Sequence, residues 1–132
     1  MFPSTMLDDM TRSFLEDEGA EDLWLTCDVD GQAVALAYAI PEPMTVGTWN
    51  LLALAVLPER QGDGVGTALV THLEVLLIEG GHRILLVETS GVPTFERTRD
   101  FYRRRGFVET ACIPDFYAQN DDKIVFWKAL LN

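Results

Sequence analysis

The segment of this 132-residue chain best suited to chemistry is Gln61-Gly62-Asp63-Gly64-Val65-Gly66-Thr67. Its glycines alternate behind the strand-like run Ala53–Leu57 and Pro58, and just ahead of an apolar helical pattern. Glycine at those positions strips side chains from the turn, so backbone N–H groups at the helix start face open space. Unpaired amides and the positive end of the helix dipole both favour a bound anion, which makes a phosphate-bearing ligand the first expectation. Two other phosphate loops do not fit. A Walker loop needs Gly-Lys before Ser or Thr, and no lysine precedes Lys123. A dinucleotide turn needs G-x-G-x-x-G, whereas the spacing here is G-x-G-x-G, with no acidic residue closing a second strand about 20 residues on. Taken alone, the glycine triplet also reads as a plain connector between strand and helix.

A second pattern lies downstream. Asp100-Phe101-Tyr102-Arg103-Arg104-Arg105-Gly106-Phe107 ends a helix, with Gly106 where a left-handed residue commonly closes one. Ile113-Pro114-Asp115-Phe116-Tyr117 and Asp121–Phe126 then read as a closing hairpin. Together, Gln61-x-x-Gly64-x-Gly66 after a strand, the tyrosine helix and the hairpin resemble the GNAT superfamily of acetyl-CoA-dependent N-acetyltransferases. The likeness spans roughly residues 22 to 130.

The resemblance implies specific roles. The cofactor pyrophosphate would lie on Gln61, Gly62, Asp63, Gly64, Val65, Gly66 and Thr67. Free backbone groups of Leu54, Ala55 and Val56 would bind the pantetheine arm and polarise the thioester carbonyl. Tyr102 would protonate the departing thiolate, since the pKa of a phenol lies near that of a thiol. Without the likeness, Tyr102 reads as a packed core tyrosine. Removing a proton from an ammonium near neutral pH calls for a carboxylate of raised pKa or one acting through water. Glu88, ending the apolar run Ile84–Val87, is the preferred base, and Glu42, between Pro41 and Pro43, is the alternative. Ordinary roles are a pairing of Glu88 with Arg99 or Arg103, a solvated Glu42, and an amine that enters already neutral. Glu42, Trp49, Asn50 and Tyr117 are expected to line the acceptor pocket, with Phe116 beside them; Trp49 reads equally as core. The chain departs from many relatives at Phe95, where they carry asparagine, and Thr89 or Ser90 is the substitute donor.

These residues need a sheet to hold them. Met6, Leu7, Met10, Phe14 and Leu15 share one face of a helix over residues 4 to 18, which Ser4 could cap. Leu23–Val29 and Ala33–Ile40 read as strands joined by a tight turn at Asp30-Gly31, and Gly47–Leu57 as a longer strand. Val65, Leu69, Leu73, Leu76 and Leu77 form the stripe of a helix closed by Gly80-Gly81. Ile84–Val87, a helix from Pro93 to Arg105, and strands Phe107–Cys112 and Lys123–Leu130 complete the order. The expected fold is α/β: a mixed central sheet with helices on both faces, lacking the family's usual first strand. The sheet edge left there is open or covered by a partner chain, which makes a homodimer a possible assembly.

Length bounds the chain to one domain over residues 1 to 132. Hydrophobic residues make up 48%, yet no run approaches the roughly 20 apolar residues of a membrane span, and no secretory signal opens the chain. Cys27 and Cys112 are expected as reduced thiols buried in strands, as in a cytoplasmic protein. No metal site is expected, since His72 and His82 have no ligand-like companions. The net charge of −11 argues against nucleic acid. The acid is concentrated in residues 1 to 31, with nine acids and one base, while residues 59 to 106 hold seven of each. That acidic part is either a solvated face or a rim that attracts a cationic amine. The expected activity is acetyl transfer from acetyl-CoA to a small-molecule amine. The alternatives are a protein N-terminus or lysine as acceptor, and a non-catalytic acyl-CoA-binding module.

Overall fold

The computed structural model describes residues 11–16 and 22–131. They form one mixed sheet of strands β1 (Thr11–Glu16), β2 (Leu23–Val29), β3 (Gln32–Pro41), β4 (Thr48–Val56), β5 (Ile84–Ser90), β6 (Val108–Ala118) and β7 (Asp121–Ala129). Two helices, α1 (Val65–Glu79) and α2 (Glu96–Arg104), complete it, with short 3-10 turns at Pro58–Arg60 and Pro93–Phe95. The strand order is β1-β2-β3-β4-β5-β7-β6. Only the β4–β5 pair is parallel, and α1 supplies the crossover it requires. Asp30 and Gly31 both take positive φ, 54° and 81°, the geometry of the hairpin turn that joins β2 to β3.

The core lies on one face of this sheet. Leu25, Ala35, Ala37, Leu51, Leu85, Val87 and Phe126 alternate inward, and Val65, Leu69, Leu73 and Leu77 of α1 pack on them. Small alanines along β3 let the helix approach the sheet closely. Helix α2 lies beside α1 on the same face. Phe101 sits against Gly66, Arg105 Nη1 donates to Thr67 Oγ1, and Tyr102 packs near Phe126. Among the described residues, then, the helices cover one face and not both.

The reason lies at the amino end. The helix expected over residues 4 to 18 is a strand at Thr11–Glu16, which pairs antiparallel with β2 from Glu16↔Leu23 to Thr11↔Cys27. The sheet therefore carries a strand at the edge the sequence reading leaves vacant. The unpaired backbone groups along β2 supply partners that outweigh a short helical periodicity. Ser4, Met6, Leu7 and Met10 lie outside the described residues. The sheet's other face carries aromatic and charged side chains, among them Trp24 stacked on Tyr38 with ring centroids 4.0 Å apart. Cys27 is fully buried as expected, but Cys112 is exposed, because β6 is an edge strand whose residues all face solvent.

One irregularity positions the site. Pairing of β3 with β4 passes from Ala39↔Leu51 to Tyr38↔Ala53, so Leu52 is an extra, bulged residue. The parallel ladder between β4 and β5 ends at Leu51↔Val87, at that same point. A bulge bends its strand and sharpens the twist. Past Leu51, β4 stays with β3 while β5 stays with β7, and a gap opens through the sheet.

Candidate functional site

Along Leu52–Val56 the side of β4 that faced β5 has no strand partner. One group freed this way, the carbonyl of Val56, accepts Gln61 Nε2 at 3.2 Å, which ties the glycine loop to the strand. Gly62 and Gly64 hold φ at 90° and 83°, a region that strains residues with a Cβ. Gly64 caps α1 without a side-chain bond, and the first helical bond runs from the Ala68 amide to the Gly64 carbonyl at 3.0 Å. The amides of Val65, Gly66 and Thr67 precede that bond and lie outside the helical ladder. Gly66 also faces the Phe101 ring, which a Cβ there would meet at 3.4 Å, so the start of α1 packs against the second half of α2. Asp63 places a carboxylate in the same loop, paired with Arg60 at 3.6 Å.

The gap widens into a cavity of about 420 Å³. Leu54, Gln61 and Gly66 line one side, and Arg97, Thr98 and Tyr102 of α2 line the other. Tyr102 is 4% exposed, its ring edge-on to Phe101 and Phe107. Burial pushes its pKa well above the usual phenol value, so the hydroxyl keeps its proton at neutral pH. That hydroxyl makes no hydrogen bond among the described residues, and Tyr102 lines the cavity. Sequence reading missed Arg97 and Thr98. Their signal was spacing, since Arg97 precedes Phe101, and Thr98 precedes Tyr102, by one helical turn.

On the helix-free face, Glu88 is the first β5 residue beyond the parallel ladder. Its partner is neither Arg99 nor Arg103 but Lys123 on β7, with Nζ 3.1 Å from Oε1. Arg99 instead donates to the carbonyls of Ser90 and Val92, and Arg103 pairs with Asp100 and Glu109. Lys123 Nζ also lies 4.1 Å from the Phe116 ring centroid. Tyr117 belongs to this cluster: burial first, then the charges of Glu88 and Asp121, push its phenol up. Ser90 is occupied, donating to Asp121 Oδ1 at 2.5 Å. Glu42 accepts Asn50 Nδ2 at 2.8 Å, and Asn50 is 2% exposed with Oδ1 unpartnered. Trp49 points to the helix-covered face against His82, and shares with Glu42 a separate hollow of about 400 Å³. The structure thus gathers Leu54, Gln61, Gly66 and Tyr102 at one cavity, and Glu88, Lys123 and Tyr117 in a separate cluster on the helix-free face. Trp49 stays apart from both groups.

Residues 20–109 match the model of the acetyltransferase (GNAT) domain. The chain belongs to the GNAT family. An uncharacterised N-acetyltransferase of Methanocaldococcus jannaschii is 31% identical over 104 residues, covering 76% of this chain and 62% of that protein. This GNAT chain therefore spans less than two thirds of that relative's length. A GNAT-family protein from Desulfovibrio desulfuricans superposes with a TM-score of 0.81 at 34% identity, over 84% of this chain and 70% of the other. The ribosomal-protein-S18-alanine N-acetyltransferase of Escherichia coli shares the fold, with a TM-score of 0.75 at 23% identity over 86% and 72% of the two chains. So does an aminoglycoside 6'-N-acetyltransferase solved with coenzyme A, at 0.74 and 21% over 89% and 77%. Among the described residues of this GNAT domain no His, Cys, Asp or Glu group could hold a metal ion, and no helix is long and apolar enough to cross a membrane.

Proposed function

We propose that this GNAT domain transfers an acetyl group from acetyl-CoA to a primary amine, with a small-molecule amine as the acceptor. One observation carries the reading: a helix start with free amides and a protonated phenol border the gap beside β4, and Glu88 is the first β5 residue past the break that opens it. Acetyl-CoA supplies a thioester whose acetyl carbon is open to attack. Its diphosphate suits the amides of Val65, Gly66 and Thr67, with Arg97 as a nearby cation. The free edge of β4 offers backbone groups to an extended arm, and N–H groups there stabilise negative charge on a carbonyl oxygen. Tyr102, kept protonated by burial, can give its proton to sulfur. Glu88 takes a proton from the ammonium, and Tyr117 closes the acceptor side.

Calorimetric titration with acetyl-CoA, beside free CoA, tests the first half of this reading. Micromolar binding is expected. Thiol release with polyamines and basic peptides then tests the second half and separates small-molecule from peptide acceptors. A folded protein that binds neither nucleotide overturns the assignment; binding without thiol release to any amine favours an acyl-CoA-binding module.

A further inference from the structure

We propose that Lys123 is itself an acceptor: a self-acetylation site whose ammonium the Glu88 carboxylate already holds. The inference rests on the acetyl-transfer reading and adds a product to it. Lys123 and Glu88 are largely withdrawn from solvent, 13% and 26% exposed, with Nζ 3.1 Å from Oε1 and under the Phe116 ring. Their place in the register matters most. Glu88 is the first β5 residue with no strand on its β4 side, and Lys123 pairs with Ser90, two residues further on. Tyr102 packs near Phe126 on the opposite face, and Phe126 pairs with Val87. Where the sheet is interrupted, a primary ammonium and its proton acceptor thus lie on one face, and a protonated phenol packs on the other face of the strand that carries the ammonium. Those are the groups that acetyl transfer to an amine requires.

The step balances. Lys123 Nζ gives one proton to Glu88 and forms a bond to the acetyl carbon as the carbon–sulfur bond breaks. The departing thiolate takes the Tyr102 proton, the amide-forming nitrogen loses its surplus proton to restore the phenol through water, and Glu88 releases its proton to solvent. Acetylation removes the lysine charge, and the Glu88 carboxylate is then free to serve an incoming amine. Early turnover consequently shows a lag that preincubation with acetyl-CoA removes.

The chain contains its own control, because Lys128 is its other lysine. Lys128 lies on the helix-covered face, bound to Glu74 at 2.8 Å and to the Arg105 carbonyl at 2.6 Å. The experiment incubates the full chain with acetyl-CoA and no added amine, following intact mass, free thiol and the modified peptide. One acetyl group per chain is expected at Lys123, with thiol released in equal amount and Lys128 unmodified. The rate per molecule should be independent of protein concentration. Lys123→Arg should abolish the mass gain while acetyl-CoA binding persists, and Glu88→Gln should slow it on the order of 10²-fold. Equal labelling of both lysines overturns the proposal, as does a rate that rises with protein concentration. So does an unmodified Lys123 in protein that binds acetyl-CoA and acetylates an added amine. Loss of acetyl-CoA binding altogether overturns the underlying functional reading as well.

Discussion

Tyr102 is kept protonated by its surroundings, which suits the proton-donor role proposed for it. Phe101, Phe107 and Phe126 pack its ring, and no cation stabilises a phenolate among the causes of its raised pKa. Tyr102→Phe keeps those ring contacts, so folding and the acetyl-CoA dissociation constant should be unchanged. Turnover should fall on the order of 10²-fold, read by thiol release at saturating amine. Equal turnover would remove the tyrosine from the proton-donor role. At this scale the sequence was legible where backbone geometry dictates residue type. Alternating glycines mark the strand-to-helix turn locally, whereas Tyr102 gains a role beyond packing only from the family resemblance. The partner of Glu88 was not legible, because Lys123 lies 35 positions away and only the β5–β7 register joins them. Arg97 was legible in principle, as a residue one turn ahead of the packed Phe101, but a charged side chain on a helix normally reads as solvated.

In the proposed function the start of α1 and the bulge in β4 act together: the ladder to β5 ends at the bulge, and Gly66 at the helix start lines the cavity beside it. Gly64→Ala forces an L-residue to a φ of 83°, costing about 1–2 kcal/mol, and shifts the amides that follow. We expect a lower thermal midpoint together with roughly tenfold weaker acetyl-CoA binding, measured by calorimetry on the folded variant. Strands β2 to β5 and both helices followed from periodicity and turn chemistry, with bounds shifted by a few residues. The segment 11–16 did not, since Phe14 and Leu15 fit a helix stripe as well as a strand, and the β2 edge decides between them. The Leu52 bulge was equally hidden: its run of apolar residues has no glycine or proline to mark an extra residue.

Across the whole molecule, alkaline stability has a defined source. Burial pushes the Cys27 thiol from 9.0 to about 11, with Asp28 acting in the same direction, and Tyr102 is raised too. Both groups are neutral when protonated, so their contribution is fully present below their unfolded values. It is lost as pH climbs through the folded ones. Thermal midpoints should hold steady up to about pH 9 and then decline, as Cys27 alone removes roughly 2 kcal/mol of unfolding free energy near pH 11. Cys27→Ala should flatten that part of the decline, as followed by circular dichroism. At this scale the fold class was readable from element order, whereas the one-sided placement of the helices depended on a segment whose local pattern favoured the wrong element. The parting of β4 from β5 has one more consequence. On the proposed function, an interruption of this kind gives the molecule a front door and a back door: the nucleotide enters past the helices and the amine from the bare face. Neither has to leave before the other arrives, so no acyl group needs to be parked on the protein between them. Initial-rate lines at several fixed amine concentrations should accordingly intersect when plotted in reciprocal form, and parallel lines would mean that the two doors are one.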